Sequence, residues 1–576
     1  MLKILKYLAP YRRSVILVLA LTFMQAMSTL YLPQLMSNIV DVGILHGNVH
    51  YIVRVGLVML AVTMMGGLAA IGGSLFAARA SAGYARILRE RIFRHVERFG
   101  LSEFDVLGTS SLIVRSNNDV MQVQQMVQMM LRMMIIAPLT SIGGVIMAIH
   151  TNARLALSMI VVVPLLGLTV YLILGRGIPL FHVIQVKVDG LNRVVRENLA
   201  GVKVIRAFHR QDHERERFYH ANADLTQISV RVFQMTALML PLVMLIMNWA
   251  TVAIFWWGSV RVNHGQLQVG SLMAFIQYFS QIMFSVMMVS MMSFMLPRAQ
   301  ASALRIGEVL NTTITIEDPP DAIELGRPPT TLSFDHVTFC YPGAEEPALD
   351  NISFEAHTGQ TVAIIGGTGA GKSTLIRLIA RFYDAQKGVV RLDGMDIRIL
   401  TLASLRQTMG LVTQPPALFT GTILDNVRYG DTNASESAVK DALMTAQAWE
   451  FVESMPNGML SYLDQGGVNL SGGQRQRLSI ARALVRHPAI YLLDDSFSAL
   501  DYKTDAALRQ ALKSWTHEAI VLIVAQRVAT IMDADLILVL DDGRVVGRGT
   551  HTQLMAECDI YREIVSSQLS PEESAS

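Results

Sequence analysis

Two hydrophobic rhythms divide the chain. Up to about residue 300, apolar residues run in long windows free of Asp, Glu, Lys and Arg; beyond it they come in short runs broken by Gly, Pro and charge. Six windows stand out, at residues 14–40, 55–78, 133–153, 155–175, 232–260 and 262–297. A helix needs about 20 apolar residues to cross a bilayer, so each window is long enough. Pro33, Pro138, Pro164 and Pro241 lie in or near these windows, where membrane helices tolerate proline. Basic residues give a topology. Lys3, Lys6, Arg12 and Arg13 precede the first window, the segment 36–53 carries no Lys or Arg, and Arg79, Arg86, Arg89, Arg91, Arg94, Arg98 and Arg115 fill the next connection. A very short link near 152–154 follows, and then Lys187, Arg193, Arg196, Lys203, Arg206, Arg210, Arg215 and Arg217 crowd the fourth connection. The positive-inside rule places the N-terminus, both basic connections and the second half of the chain in the cytoplasm. Residues 84–99 and 188–218 are poor in Gly and Pro and read as charged helices, so the membrane helices are expected to continue far into the cytoplasm.

After a Pro-containing, acidic linker the pattern changes to alternating strands and helices. An apolar strand at 361–365 runs into Gly366-Gly367-Thr368-Gly369-Ala370-Gly371-Lys372-Ser373, and a helix follows from Thr374. This is G-x-x-x-x-G-K-S in the strand–loop–helix setting that gives it meaning. Its glycines let backbone N–H groups curl around phosphate oxygens, and the helix N-terminus adds a positive dipole. Lys372 is expected to reach the β- and γ-phosphates and Ser373 to bind Mg2+. A second apolar strand at 489–493 ends in Asp494, an arrangement suited to holding the same ion. Between the two lies Leu470-Ser471-Gly472-Gly473-Gln474.

With LSGGQ beside a P-loop, the sequence closely resembles the ATP-binding cassette (ABC) family. The resemblance implies an all-α six-helix transmembrane domain of the exporter type fused to an α/β P-loop nucleotide-binding domain, in a multi-pass protein of the cell membrane. The expected boundaries are 1–310 for the transmembrane domain, 311–330 for a linker, 331–565 for the nucleotide-binding domain and 566–576 for a disordered tail. Tyr341 fits the aromatic that stacks on adenine, Gln414 the Q-loop that senses the γ-phosphate, and Asp501 closes the D-loop that begins at Ser498. ATP and Mg2+ are the implied cofactors, with Ser373, Gln414 and Asp494 around the metal and Ser471, Gly472, Gly473 and Gln474 facing the ATP of a second domain. Segments 103–120 and 197–208 resemble the two coupling segments of the family.

Two positions depart from the pattern. The residue after the Walker-B aspartate is usually Glu, the base for the attacking water; here it is Asp495. The switch position is usually His; here it is Gln526. A base must lie within hydrogen-bond reach of its water, and a misplacement of about 1 Å can cost on the order of 100-fold. Gln526 can donate a hydrogen bond but cannot carry positive charge. ATP binding is therefore expected to survive while hydrolysis slows. The family pairs two nucleotide-binding domains head to tail, so the expected assembly is a heterodimer with a second half-transporter bearing Glu and His at these positions. The intact LSGGQ would complete that partner's faster site. Upstream of LSGGQ, where exporters often read G-E-R-G, this chain has Asp464-Gln465-Gly466-Gly467.

Composition adds limits. Lys+Arg 48 against Asp+Glu 46 gives +2, so no basic field points to nucleic acid. Two cysteines, Cys340 and Cys558, make no disulfide framework or metal-ligand spacing. No Asp, Glu, Lys or Arg lies within the six windows, which disfavours an ion path or proton relay. Among 33 methionines, Met283, Met287, Met291 and Met295 recur along one face of the last window, near Phe255, Trp256, Trp257, Tyr278 and Phe284. They suit either an accommodating cavity for a hydrophobic small molecule or ordinary helix packing. The leading expectation is export of hydrophobic or amphipathic substrates. The alternatives are an ATP-gated regulatory or channel-like subunit and a homodimeric lipid or peptide exporter.

Overall fold

The computed structural model describes residues 6–568. The chain forms two compact units, one from Met1–Val96 and Ser110–Asn311, the other from Glu97–Thr109 and Thr312–Ser576. In chain order the long helices are α1 (Arg12–Asn38), α2 (Val49–Val96), the short α3 (Leu101–Leu107), α4 (Val120–Ala200), α5 (Gln211–Ala237), α6 (Met239–Asn263) and α7 (Val269–Asn311).

Within the first unit, five helical stretches among the described residues are long and apolar enough to cross a membrane: Lys6–Ile44, Val49–Val96, Thr109–Gly177, Gln211–Asn263 and Val269–Val289. The third holds two of the six predicted windows. At about 1.5 Å per residue an unbroken α4 would be on the order of 120 Å long, several bilayer thicknesses. It is broken at Asn152, whose extended backbone (φ −161°, ψ 104°) interrupts the helix. The Asn152 side chain accepts the Leu155 N–H at 3.0 Å and so starts the next helix as an N-cap. The polar connections are helical, as their composition predicts: α2 runs on through Arg79–Val96, and α4 and α5 carry the fourth connection.

Residue size decides which face of α2 packs. Gly66, Ala69, Gly73, Ala77, Ala80 and Ala85 are buried, while Leu57, Leu60, Met64, Leu68, Ile71 and Leu75 stand exposed. Small residues let helix backbones approach, and lipid, not a protein core, receives the large ones. A Cβ at Gly66 would lie 2.9 Å from the Ser28 Cβ, so α1 and α2 are in close contact there.

The second unit is built on strands, twelve among the described residues: β1 (Thr331–Phe339), β2 (Leu349–His357), β3 (Thr361–Gly366), β4 (Lys387–Leu392), β5 (Met395–Asp396) and β6 (Met409–Val412). The remainder are β7 (Gly421–Thr422), β8 (Tyr462–Leu463), β9 (Ile490–Asp494), β10 (Ile520–Val524), β11 (Leu536–Asp541) and β12 (Arg544–Gly549). Six form a sheet in the order β12-β11-β3-β10-β9-β6, parallel except for the edge strand β12. Successive side chains alternate between two cores: Val362, Ile364, Leu492 and Leu522 face one, and Ala363, Ile365, Leu493 and Ile523 the other. Burial on both faces explains why these strands read as continuous apolar runs. An antiparallel sheet in the order β2-β1-β4-β5 completes the architecture.

Part of the expected tail is revised. Ser566 to Gln568 are the end of the last helix, Asp559–Gln568, and 569–576 lie outside the described residues. The helix continues because Tyr561 and Val565 are buried in the domain core.

The packing of α2 gives the first prediction. Gly66→Val is expected to overpack the α1–α2 contact and cost about 1–3 kcal/mol, read as a lower Tm in detergent. Leu68→Ala, on the exposed face of the same helix, is expected to change Tm little.

Candidate nucleotide site

The P-loop follows β3 and ends at helix α8 (Lys372–Ile379). Gly366, Gly369 and Gly371 have φ of 156°, 88° and 93°, which side chains with a Cβ rarely adopt. Space also demands glycine: a Cβ at 366 would meet the Leu540 carbonyl at 2.0 Å, and one at 371 the Ala348 carbonyl at 2.4 Å. Thr368 and Ala370 complete the turn. Gly371 caps α8 with no side-chain hydrogen bond, so the first N–H groups of the helix are left for an anion. Lys372 Nζ folds back onto the carbonyls of Gly366 (2.9 Å) and Gly367 (2.6 Å). Burial pulls its ammonium below the usual lysine value.

Two acids stand at the end of β9. Ser373 Oγ donates to Asp494 Oδ1 at 2.8 Å, which unites two of the expected Mg2+ ligands. Hydroxyl and carboxylate oxygens are the hard donors that Mg2+ takes, and it binds through few protein groups plus phosphate and water. No cluster of three or more His, Cys, Asp or Glu suited to a metal exists among the described residues. The Ser373–Asp494 pair therefore fits an ion completed by nucleotide. Burial raises the Asp494 carboxyl above its ordinary value. Asp495 follows in a left-handed conformation at φ 48° and is 5% exposed. Gln414 Nε2 donates to its Oδ2 at 2.5 Å, and Gln526 Nε2 donates to the same oxygen at 2.9 Å. The Gln414 amide is thus placed on Asp495. Burial also raises the Asp495 carboxyl, against the pull of Ser498, Gln414 and Lys372.

The signature lies elsewhere on the domain. Ser471 caps helix α9 (Gly472–Leu484) through a capping box: its hydroxyl accepts the Gln474 N–H at 3.2 Å and its own N–H donates to Gln474 Oε1 at 2.9 Å. Ser471 and Gly472 are exposed, and a Cβ at Gly473 would touch the Ala499 carbonyl of the D-loop at 3.1 Å. No hydrogen bond joins residues 471–474 to the P-loop among the described residues. Asp501 caps helix α10 (Tyr502–Trp515) by accepting from Thr504 N at 3.0 Å and Thr504 Oγ1 at 2.8 Å. Tyr341 is half-buried; its hydroxyl meets Thr374 Oγ1 at 2.9 Å and accepts from Arg377 at 3.0 Å. That places the ring beside α8.

Sequence reading missed two connections. Gln568 donates to the Gln526 carbonyl at 2.8 Å and accepts the Val528 N–H at 2.8 Å, so the last helix grips the switch backbone on both sides. Residues 97–109 belong with the nucleotide-binding unit, where Tyr383 donates to Asp105 at 2.6 Å and Glu103 accepts the Thr315 N–H at 3.0 Å. Neither has a spacing signal, because the partners lie far apart in sequence. Segment 197–208 lies in the other unit, as the end of α4 followed by the short helix Val202–Ala207.

Lys372→Ala is expected to raise the Kd for ATP by about tenfold or more, since a charge-assisted contact is lost, and titration with a fluorescent ATP analogue checks it. Gln568→Ala is expected to leave ATP affinity within about threefold while increasing hydrogen exchange at residues 526–528.

Comparison with known proteins shows the family. Residues 15–286 match the ABC transporter transmembrane region family and residues 349–498 the ABC transporter family. An uncharacterized ABC transporter ATP-binding protein of Mycobacterium tuberculosis (strain CDC 1551 / Oshkosh) is 43% identical over 98% of this chain and 97% of its own. An ATP-dependent lipid A-core flippase of Aromatoleum aromaticum is 33% identical over 90% of this chain and 86% of its own. A fatty acid ABC transporter ATP-binding/permease protein of Mycobacterium bovis is 33% identical over 83% of this chain and 75% of its own. The structure of a bacterial Atm1-family ABC exporter with ATP bound superposes with a TM-score of 0.81 at 26% identity, covering 98% of this chain and 99% of that one. The chain belongs to the ABC transporter family, as an ATP-driven exporter whose transmembrane region and ATP-binding domain are fused in one polypeptide.

Proposed function

We propose that this chain is one half of a heterodimeric exporter of hydrophobic or amphipathic substrates, and that its own ATP site is the slow one. The observation that carries this reading is the Asp495 carboxylate. Its Oδ2 accepts from both Gln414 and Gln526, so one of its two oxygens is already occupied by two amides. The side chain is also one methylene shorter than the glutamate of a standard site. Neither amide supplies the positive charge that a histidine could. On this reading Lys372, Ser373 and Thr374 hold ATP, Tyr341 lies against its base, and Ser373, Asp494 and Gln414 surround Mg2+. Ser471 to Gln474 and Asp501 serve the partner's site, where hydrolysis mainly occurs.

Six spans, with α4 contributing two on either side of Asn152, would return both termini to the cytoplasm, consistent with the basic connections. The proposed domains are 1–310 and 331–565, joined by a linker. The substrate class draws support from relatives named for a lipid A-core and for fatty acids.

Asp495→Glu combined with Gln526→His is expected to raise ATP hydrolysis at this site by about 10- to 100-fold. Single-turnover ATPase of the folded double variant checks it; no gain with ATP binding intact would contradict the reading. The double variant is also expected to be slightly less stable, since glutamate tolerates the left-handed backbone at 495 less well than aspartate.

A further inference from the structure

A cavity of 570 Å3 opens within the transmembrane unit among α1, α4 and α7. Its volume is that of a small-molecule site, roughly 300–1,000 Å3. Gln25, Gln125, Gln128 and Arg132 supply its polar wall, and Met288 and Met295 are among the thioethers on the other side. Arg132 is the one charged residue in the lining among the described residues. It sits immediately before the apolar window 133–153, at the end of the span and not at its middle. One Nη atom donates to Ser74 Oγ at 3.1 Å. A guanidinium carries five N–H donors, and among the described residues no carboxylate lies within ion-pair distance of this one. The side-chain amides of Gln25, Gln125 and Gln128 likewise have no hydrogen-bond partner among the described residues.

A cation at the end of a span, with neutral amides beside it, is placed to meet an anionic head group at the interface. A planar guanidinium matches a carboxylate or phosphate through two parallel hydrogen bonds. Neutral amides beside it add donors without competing charge. Flexible thioethers accommodate an alkyl chain without fixing its shape. We infer that this cavity binds amphipathic anions, with the acidic head group on Arg132 and the glutamines and the tail along the methionines. The inference rests on the exporter reading for its biological sense and narrows its substrates from hydrophobic molecules in general to those with one acidic end.

The test is equilibrium binding of radiolabelled palmitate to the full chain in detergent micelles, with hexadecyl phosphate, hexadecanol, hexadecylamine, acetate and inorganic phosphate as competitors. Palmitate and hexadecyl phosphate are expected to compete at least tenfold better than hexadecanol or hexadecylamine. Acetate and inorganic phosphate are expected not to compete, which separates an amphiphile site from a small-anion site. Arg132→Gln is expected to abolish the preference for the two acids, and Arg132→Lys to keep most of it, which also guards against a folding defect. Equal competition by palmitate and hexadecanol, effective competition by acetate or phosphate, or an unchanged preference in Arg132→Gln would each overturn the inference. ATP-driven uptake into inside-out vesicles that carry the chain together with its partner half-transporter, measured separately, distinguishes the two claims. Transport without acid preference removes the inference alone; Arg132-dependent binding without ATP-driven movement removes the exporter reading alone.

Discussion

One carboxylate oxygen, Oδ2 of Asp495, is where the parts of the ATP-binding domain meet. The parallel strand β9 delivers Asp494 and Asp495 to the end of the sheet beside the P-loop, and the left-handed backbone at 495 turns the second carboxylate away from the first. Gln414 reaches it from beyond β6, and Gln526 from beyond β10. Four adjacent strands of that sheet, β3, β10, β9 and β6, therefore lead into residues of the site, and the sheet's two buried faces hold those ends in register. Two amides from different strands thus converge on one acidic oxygen at the end of the sheet.

The transmembrane unit obeys a different constraint. Every backbone polar group must be satisfied within the chain, so the apolar windows are largely helical, and the interruption at Asn152 is repaired by its own side chain. Over residues 57–77 residue size then replaces hydrophobicity as the sorting rule: small residues of α2 are buried, with Gly66 and Gly73 against α1, and the largest ones face outward. The few polar groups that line a cavity in such a unit consequently stand out chemically.

Much of this was legible in sequence because the physics is local. The P-loop glycines are dictated by φ and by carbonyls a Cβ would strike, and the Ser471 capping box is complete within four residues. The methionine face divides between the two settings its composition allowed, packing and cavity. Met283 is fully buried in the helix core and Met287 packs against that core; Met295 lines the cavity together with Met288, and the side chain of Met291 lies outside the described residues. Helical spacing identifies a face but not which neighbour covers it. The aromatic set divides likewise: Tyr278 is fully buried, whereas Phe255, Trp256, Trp257 and Phe284 are exposed. Gln568 and the Asp105–Tyr383 contact were invisible because they depend on tertiary approach across long separations, without any repeat or motif.

Steady-state ATP hydrolysis by this chain purified alone tests the account most directly. A weakened site with no partner predicts turnover well under about 0.1 s−1 by folded protein that still binds ATP. Turnover of about 1 s−1 or more, within the ordinary enzyme range, would contradict the account and make Asp495 a working base in a homodimer.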